Sequence, residues 1–303
     1  TKGETFQPDE ILHGQVIMRG APPAGSTVSL SLGDGFGRLM WQKDMEVVRG
    51  EENLDFSLPL NDVLHQALTI KAELVIDGKA VSLKKKEIFV PHSGKDSFKF
   101  ITWDYGVGWA DRVSRAIGRR MWSDFLVDAQ HGGRDYRQFM RDNISPMPYI
   151  TRFAYQHGST EGADPTDAAP VRKPSLTDPE YREAERKKLQ DGARQVKDFS
   201  PIGYSLGDEN FLTHVVSGGR GIDLDFHPTS LESFRKFLKN KYGSLNRLNE
   251  IWTTTFSSWD QVTPVIQMEA LKSGQYARWI DHRLHMEFVF ADMHQFGGDV
   301  IRE

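Results

Sequence analysis

The chain of 303 residues carries 38 lysine and arginine residues against 42 aspartate and glutamate residues, and its formal net charge is -4. This near balance lacks the cationic field that binding to nucleic acid requires, so the composition argues against a nucleic-acid partner. No apolar run approaches the roughly 18 residues of a membrane-spanning helix, and the absence of cysteine excludes disulfides, thiolate nucleophiles and cysteine-ligated zinc.

The first part of the chain has the pattern of short antiparallel strands. Residues 28–32, 54–58 and 68–76 alternate between apolar and polar side chains, and Asp77 and Gly78 follow the last of these runs as a hairpin signal. Alternation with period two buries one face of each strand and leaves the other in water. We therefore predict an immunoglobulin-like β-sandwich domain over residues 1–95.

A glycine-rich stretch at residues 33–37 superficially resembles a loop that cradles phosphate. No helical pattern follows it, whereas a phosphate-binding loop leads into a helix. The stretch is therefore predicted to be a hairpin turn.

A breaker-rich segment at residues 91–96 marks the predicted domain boundary, because the pattern after it alternates between strands and helices. The helix over residues 177–197 has clear start signals, with a capping side chain, a proline in its first turn and a glutamate. Successive β/α units imply a parallel sheet. The predicted strands are 98–103, 124–127, 147–152 and 202–206, and the other predicted helices are 110–122, 134–142 and 275–301. A further helix is predicted between a capping box from Thr229 to Glu232 and a C-terminal cap at Gly243.

The predicted fourth strand is followed directly by Gly207, Asp208, Glu209 and Asn210. In parallel α/β proteins the active-site groups lie at the carboxyl ends of the strands. A glutamate buried there can have a raised pKa, which suits it to donate a proton to a leaving glycosidic oxygen. The residues alone leave open a second interpretation, a solvated loop with a helix-capping aspartate.

Three segments carry a shared pattern: residues 202–209, residues 234–252 with the sequence FRKFLKNKYGSLNRLNEIW, and residues 256–264. Together they resemble the family 42 β-galactosidases of glycoside hydrolase clan A. The resemblance implies that residues 96–303 form the first half of a β/α barrel of the TIM type. It also implies a retaining glycoside hydrolase acting on β-galactosides or related oligosaccharides, with Glu209 as the general acid/base. Relatives often form trimers, so the resemblance allows a homo-oligomer.

The resemblance has two departures. The family has asparagine directly before the acid/base, where this chain has Asp208 and carries Asn210 on the other side. Some relatives have a zinc-binding cysteine cluster after the fourth strand, but residues 223–228 here are DLDFHP, which we interpret as a charged surface loop rather than a calcium site. No metal and no cofactor is expected.

Further candidates follow from their positions. Asp104 and Tyr105 follow the first predicted α/β strand and Arg152 follows the third, where they would bind sugar hydroxyls, and Trp103 would stack on a sugar ring or pack in the core. His282 and His285 lie three residues apart on the last predicted helix. Their neighbours Asp281, Arg278 and Arg283 favour an ordinary polar face over a metal site.

The clan barrel has eight strands with its nucleophile glutamate on the seventh, so that partner is expected beyond residue 303 and the chain is expected to be a fragment. A non-catalytic carbohydrate-binding or interaction protein with a degenerate or truncated barrel is the alternative, and Asp208 in place of asparagine favours it. Because the chain begins at Thr1 rather than methionine, a removed leader and export are the expectation for its localisation.

Overall fold

The computed structural model describes most of the chain, in several ranges. These are residues 4–20, 22–50, 52–91, 100–103, 123–128, 136–143, 145–151, 153, 171–207, 210–216 and 220–303. The chain divides into two compact units, Thr1–Pro148 with Arg194–Tyr204 and Tyr149–Ala193 with Ser205–Glu303. Within the described ranges, no helix is both long enough and apolar enough to cross a membrane.

The first unit opens with antiparallel strands in two sheets. The strands are β1 (Ile11–Ile17), β2 (Thr27–Asp34), β3 (Leu39–Glu46), β4 (Asn53–Pro59), β5 (Ala67–Ile76) and β6 (Lys79–Phe89). One sheet has four strands in the order β3-β2-β5-β6, and the other pairs β1 with β4. The three strands predicted from alternation are thereby confirmed as parts of β2, β4 and β5.

The two sheets share one hydrophobic core. Leu30 and Leu32 of β2 are fully buried, and they cluster with Leu12 of β1, Leu58 of β4 and Leu68 of β5. Alternation along β2 buries every second side chain of the strand, including these two leucines. Each fully buried leucine stabilises the fold by about 2 kcal/mol relative to an exposed one.

Tight turns connect neighbouring strands of the four-stranded sheet. Between β5 and β6, Asp77 and Gly78 both have positive φ angles, 50° and 73°, as a two-residue hairpin turn of type I′ requires. Between β2 and β3, the Asp34 carboxylate accepts hydrogen bonds from the backbone N–H groups of Phe36 (3.0 Å) and Arg38 (2.9 Å). The glycine-rich stretch is therefore a hairpin turn, as predicted. Backbone N–H groups in this turn bind the Asp34 carboxylate.

Strands of an α/β pattern follow. They are β7 (Phe100–Trp103), β8 (Ser123–Asp128) and β9 (Pro146–Tyr149), in a sheet of order β7-β8-β9, with the helix α1 (Tyr136–Arg141) between β8 and β9. β7 and β8 pair in parallel. The predicted strands 98–103 and 124–127 are confirmed where the structure describes them, and the predicted helix 110–122 lies outside the described residues. β9 ends at Tyr149, three residues earlier than predicted.

The residues of α1 and the turn after it pack against the β-sheet part of the same unit. Phe139 and Met140 cluster with Ala67 and Phe89. The buried Asn143 side chain accepts a hydrogen bond from the Gln66 N–H over 2.9 Å. The predicted boundary segment lies mostly outside the described residues, and the division at residue 95 stays a prediction.

The described part of the second unit is mainly helical. It contains α2 (Pro179–Val196, whose last turn belongs to the first unit), the antiparallel strands β10 (Thr213–Val216) and β11 (Arg220–Asp223), and the helices α3 (Pro228–Tyr242), α4 (Leu245–Trp252), α5 (Gln267–Ser273) and α6 (Tyr276–Arg302). Phe234, Leu238, Leu248, Trp252 and Val262 form a buried cluster among α3, α4 and the loop after α4. The residues of the family-like run are therefore structural, as their helical spacing predicts.

The helix starts differ in how well the sequence predicts them. At α2, the Asp178 carboxylate accepts from the Glu180 N–H over 2.9 Å and Pro179 begins the helix, so the predicted start is confirmed. At α3, a capping box from Thr229 to Glu232 is the prediction from sequence, and it is wrong. The helix begins at Pro228 with His227 as its N-cap, because proline has a preset φ and no N–H to satisfy, which suits the first helical position.

Candidate functional site

Ser205 and Leu206, which lead to the predicted acid/base, lie beside the residues that follow β9. The Ile150 N–H donates to the Ser205 carbonyl over 3.3 Å, and the Phe153 N–H donates to the Leu206 carbonyl over 3.4 Å. Both partners advance along the chain together, so the two segments run in the same direction. The chain after Leu206 therefore leaves next to the carboxyl end of β9.

The strand predicted over residues 202–206 is wrong in extent. Within this segment only Ser205 forms a β-bridge, and Ile202 lies in a bend. The reason lies in its neighbour, since β9 ends at Tyr149 and offers only a short ladder. The Ser205 hydroxyl also donates to the Gly207 carbonyl over 3.2 Å, which turns the chain locally.

The structure describes the predicted site residues only in part. Trp103 is the last residue of β7, in agreement with its predicted place at a strand end. The side chain of Asn210 is described in full. Outside the described residues lie Asp104, Tyr105, Arg152, Asp208 and Glu209, so the assembly of the predicted site remains a prediction.

Asn210 is anchored by a histidine of α6. Its Nδ2 lies 3.1 Å from Nε2 of His294, and Nδ1 of His294 lies 2.9 Å from the Phe290 carbonyl oxygen. The carbonyl can only accept, so Nδ1 carries the hydrogen and Nε2 of the neutral ring accepts from the Asn210 amide. A Cβ atom on Gly207 would lie 2.0 Å from this amide nitrogen, so a larger residue there would displace the Asn210 amide.

The other end of the same amide is unsatisfied. Oδ1 of Asn210 is buried and has no hydrogen-bond partner among the described residues. A buried amide oxygen without a partner costs about 1 to 3 kcal/mol, so this atom is suited to accept a hydrogen bond from a group that arrives at the site. Asn210 lies directly after Glu209 in the chain.

Arg172 holds the next two residues of the loop. Its Nη1 donates to the Phe211 carbonyl over 2.9 Å, and its Nη2 donates to the Leu212 carbonyl over 2.8 Å. Nε donates to the Asp225 carboxylate over 2.7 Å, and both side chains of this ion pair are almost completely buried. Three different acceptors thus bind one planar guanidinium.

A second polar contact secures the end of β9. The Thr151 hydroxyl donates to the Glu185 carboxylate of α2 over 2.6 Å, and Nζ of Lys188 lies 3.7 Å from the same carboxylate. Burial, with the nearby negative charge of Glu185, raises the pKa of Tyr181. Thr151 is thereby fixed beside Arg152, one of the predicted substrate-binding residues.

The interpretation of residues 223–228 as a charged surface loop is wrong. Asp223 and Asp225 are each 3% exposed. Asp223 accepts from the Gln267 N–H and from Nε1 of Trp279, both over 2.8 Å, and so joins the start of α5 to α6. Their carboxylates are buried because cationic and N–H donors from other elements replace the lost water, which single-sequence patterns do not reveal.

The interpretation of His282 and His285 as part of a polar face is also wrong. Both rings are buried, at 0% and 1% exposure. Nε2 of His282 lies 2.8 Å from the Leu224 carbonyl oxygen, and Nε2 of His285 lies 3.0 Å from the Ser233 hydroxyl. Burial lowers the pKa of His282, and burial lowers the pKa of His285 to about 4. Nδ1 of His282 also lies 3.1 Å from the Val265 carbonyl oxygen, so the buried rings serve as internal hydrogen-bond groups.

In the part of the chain that the structure describes, no group of three histidine, aspartate or glutamate residues is placed to hold a metal ion. Two residues of the site are absent from the sequence-based predictions, Arg172 and His294. Arg172 lies at the end of a polar loop, and His294 lies on a helix with other histidines, so neither carries a local signal.

One segment of the chain is similar to a family of glycoside hydrolases. Residues 217–296 match the family model of glycoside hydrolase family 42, described as β-galactosidase. The match runs from β11 through α6, about a quarter of the chain, and confirms the resemblance to family 42 over this segment. No curated protein matches the sequence.

Several solved structures are similar to parts of the chain. An exo-carrageenase of family 42 from Bacteroides ovatus is 17% identical over 76% of this chain and 31% of its own, with a TM-score of 0.45. A β-glucuronidase from Parabacteroides merdae is 12% identical over 75% of this chain and 29% of its own, with a TM-score of 0.30. The catalytic domain of a β-amylase from Paenibacillus polymyxa is 15% identical over 68% of this chain and 63% of its own, with a TM-score of 0.44. The chain thus spans less than a third of the first two proteins.

Proposed function

We propose that the protein is a retaining glycoside hydrolase acting on β-galactosides or related oligosaccharides, with Glu209 as its general acid/base. The observation that carries the proposal is the position of Glu209, three residues after Leu206. The Leu206 carbonyl accepts a hydrogen bond beside the carboxyl end of β9. The match to family 42 supports it, because that match begins eight residues after Glu209.

In the proposed mechanism Glu209 donates a proton to the leaving glycosidic oxygen and then removes a proton from the attacking water. A second carboxylate about 5 Å away forms the covalent glycosyl intermediate, as retention requires. Asp208 accepts a hydrogen bond from a sugar hydroxyl and Asn210 completes the site behind the acid/base. Trp103 stacks on a sugar ring, and hydrogen bonds to further hydroxyls come from Asp104, Tyr105 and Arg152.

The proposal extends to the architecture. Residues 1–95 are proposed to form an immunoglobulin-like β-sandwich, and residues 96–303 the first half of a β/α barrel. Support for the sandwich comes from the strand orders β3-β2-β5-β6 and β1-β4, which correspond to the C′-C-F-G and B-E strands of that fold. Support for the barrel comes from the parallel pairing of β7 with β8.

A binding protein without catalytic activity is the second candidate. Asp208 favours it, because an aspartate cannot donate the amide hydrogen bond that asparagine offers to a sugar hydroxyl at this position. Turnover is the property that separates the two candidates, since both require sugar binding.

The test is a panel of phenyl glycosides and β-linked disaccharides, whose poor leaving groups need protonation, with the full-length protein, the Glu209→Gln variant and the Glu287→Gln variant. Glu287 is an exposed residue of α6, so its variant controls for the same change of charge. Loss of the proton donor should lower kcat/KM by about 10²- to 10⁴-fold for Glu209→Gln and leave Glu287→Gln unchanged. Turnover that survives Glu209→Gln would exclude Glu209, and binding of a glycan without any turnover would favour the second candidate.

A further inference from the structure

Arg172 is the largest of the fully buried side chains in the described part of the protein, with 1% of its surface exposed. Arginine is rarely buried to this degree, because removing a cation from water costs several kcal/mol. A buried ion pair is often no more stabilising than apolar residues of similar volume. The position of Arg172 therefore calls for an explanation other than stability alone.

The guanidinium of Arg172 binds three acceptors on two other segments of the chain. It binds the carbonyl oxygens of Phe211 and Leu212 and the carboxylate of Asp225, each within 2.9 Å. A planar group with donors at fixed angles imposes one geometry on all three acceptors. A lysine ammonium at the same place is a single point and cannot reach all three acceptors in this arrangement.

The two carbonyl groups belong to the residues two and three positions after Glu209. The side chain of the intervening Asn210 is anchored separately to His294. Consecutive Cα atoms are 3.8 Å apart, so three fixed residues in a row leave the chain next to Glu209 little freedom. Catalytic groups need such support, since a displacement of about 1 Å can lower the rate about 10²-fold.

We infer that Arg172 is a positioning residue for the acid/base, acting through the backbone of Phe211 and Leu212, and that Asp225 orients Arg172. This inference rests on the proposed function of Glu209. It assigns to the buried ion pair a role in catalysis without contact to the sugar. The sugar-binding steps do not depend on it, so KM is expected to change little.

The experiment compares full-length Arg172→Lys and Asp225→Asn with the wild type and Glu209→Gln on aryl glycosides of graded leaving-group pKa. Protonation matters most for poor leaving groups and least for activated ones. Arg172→Lys should lower kcat/KM, which reports the step that protonates the leaving group, about 10²-fold on the poorest leaving group and only a few fold on the most activated one. Arg186→Lys is the matched control, because Arg186 pairs with Glu303 at the surface.

Asp225→Asn is the milder variant, since the asparagine oxygen still accepts from Nε of Arg172, and it keeps the test open if Arg172→Lys does not fold. It should show the same dependence on the leaving group with a smaller loss. An equal loss on every substrate, or no loss in either folded variant, would overturn the inference. If the activity lost in Glu209→Gln does not depend on the leaving group, the proposed function itself fails. If that loss does depend on the leaving group, but the losses in Arg172→Lys and Asp225→Asn do not, only the inference about Arg172 fails.

Discussion

Asp281 shows how much of this protein is decided by single buried polar residues. Its carboxylate is 1% exposed and accepts from Nζ of Lys241 over 2.5 Å, the Tyr242 hydroxyl over 2.6 Å and Nε1 of Trp252 over 2.8 Å. Burial, together with this hydrogen bond, raises the pKa of Tyr242. The sequence alone predicts Asp281 to lie on a polar face, and the structure places it where α3, α4 and α6 meet.

Asp281→Asn should therefore destabilise the protein by about 3 kcal/mol, because an amide group would direct N–H donors at the donors that now bind the carboxylate. Urea unfolding followed by fluorescence measures the change. Tyr242→Phe, which removes one of the three bonds, should cost about 1 kcal/mol. A loss for Asp281→Asn no larger than that of Tyr242→Phe would contradict this account.

Some residues of the candidate site could be predicted from the sequence, and others could not. Asp208 and Glu209 are candidates because two adjacent carboxylates after a predicted strand would be costly to bury unless they are paired, protonated or used in catalysis. Arg172 and His294 have no such pattern, since they reach the loop from distant parts of the chain. Arg172 binds two backbone carbonyl groups of the loop, and such groups are present at every position and therefore carry no sequence signal.

Elements with local signals are predicted well. The last helix is predicted over residues 275–301 and observed as Tyr276–Arg302, and Gly243 ends α3 as predicted, with a φ of 72°. The capping box at Thr229 and the strand over residues 202–206 are the errors. The start of α3 is set by Pro228 rather than by Thr229. The pairing of residues 202–206 depends on the residues after β9.

Gly243→Ala should destabilise the protein by about 1 kcal/mol, because an L-residue with a Cβ is strained at this positive φ. No atom lies within 4 Å of the Cβ that would be added, so the cost is that of the backbone alone. Gly203→Ala is the control, since its added Cβ also meets nothing and its φ is not positive. Thermal unfolding of both variants gives the comparison, and equal stabilities would refute the explanation.

At the scale of the molecule, the buried histidines make the stability of the fold depend on pH. The pKa of His285 is about 4 in the folded protein, against about 6.5 in an unfolded chain. Between these values the unfolded chain binds a proton that the buried ring does not, so stability is lost as pH falls from about 6.5 to about 4. The pKa of His282 is lowered by burial as well and acts in the same direction.

His285 alone should remove about 2 kcal/mol of stability between pH 7 and pH 5. Urea unfolding at the two pH values measures the loss. The His285→Gln variant keeps a polar group near Ser233 but does not titrate, so its stability should depend less on pH in this range. Identical losses in the wild type and the variant would show that His285 is not responsible.

Local patterns were enough to predict the antiparallel strands with alternating apolar residues, the Asp77–Gly78 turn, the start of α2 and the family-like helices, because these depend on contacts close in the chain. The amino-acid pattern was also enough to establish the resemblance to family 42. The folded chain was needed to show that Asp223, Asp225, His282 and His285 are buried and that Arg172 binds the loop residues Phe211 and Leu212. The physical reason is that a charged or polar side chain is buried only where partners from distant segments replace its water, and a linear pattern does not contain those partners.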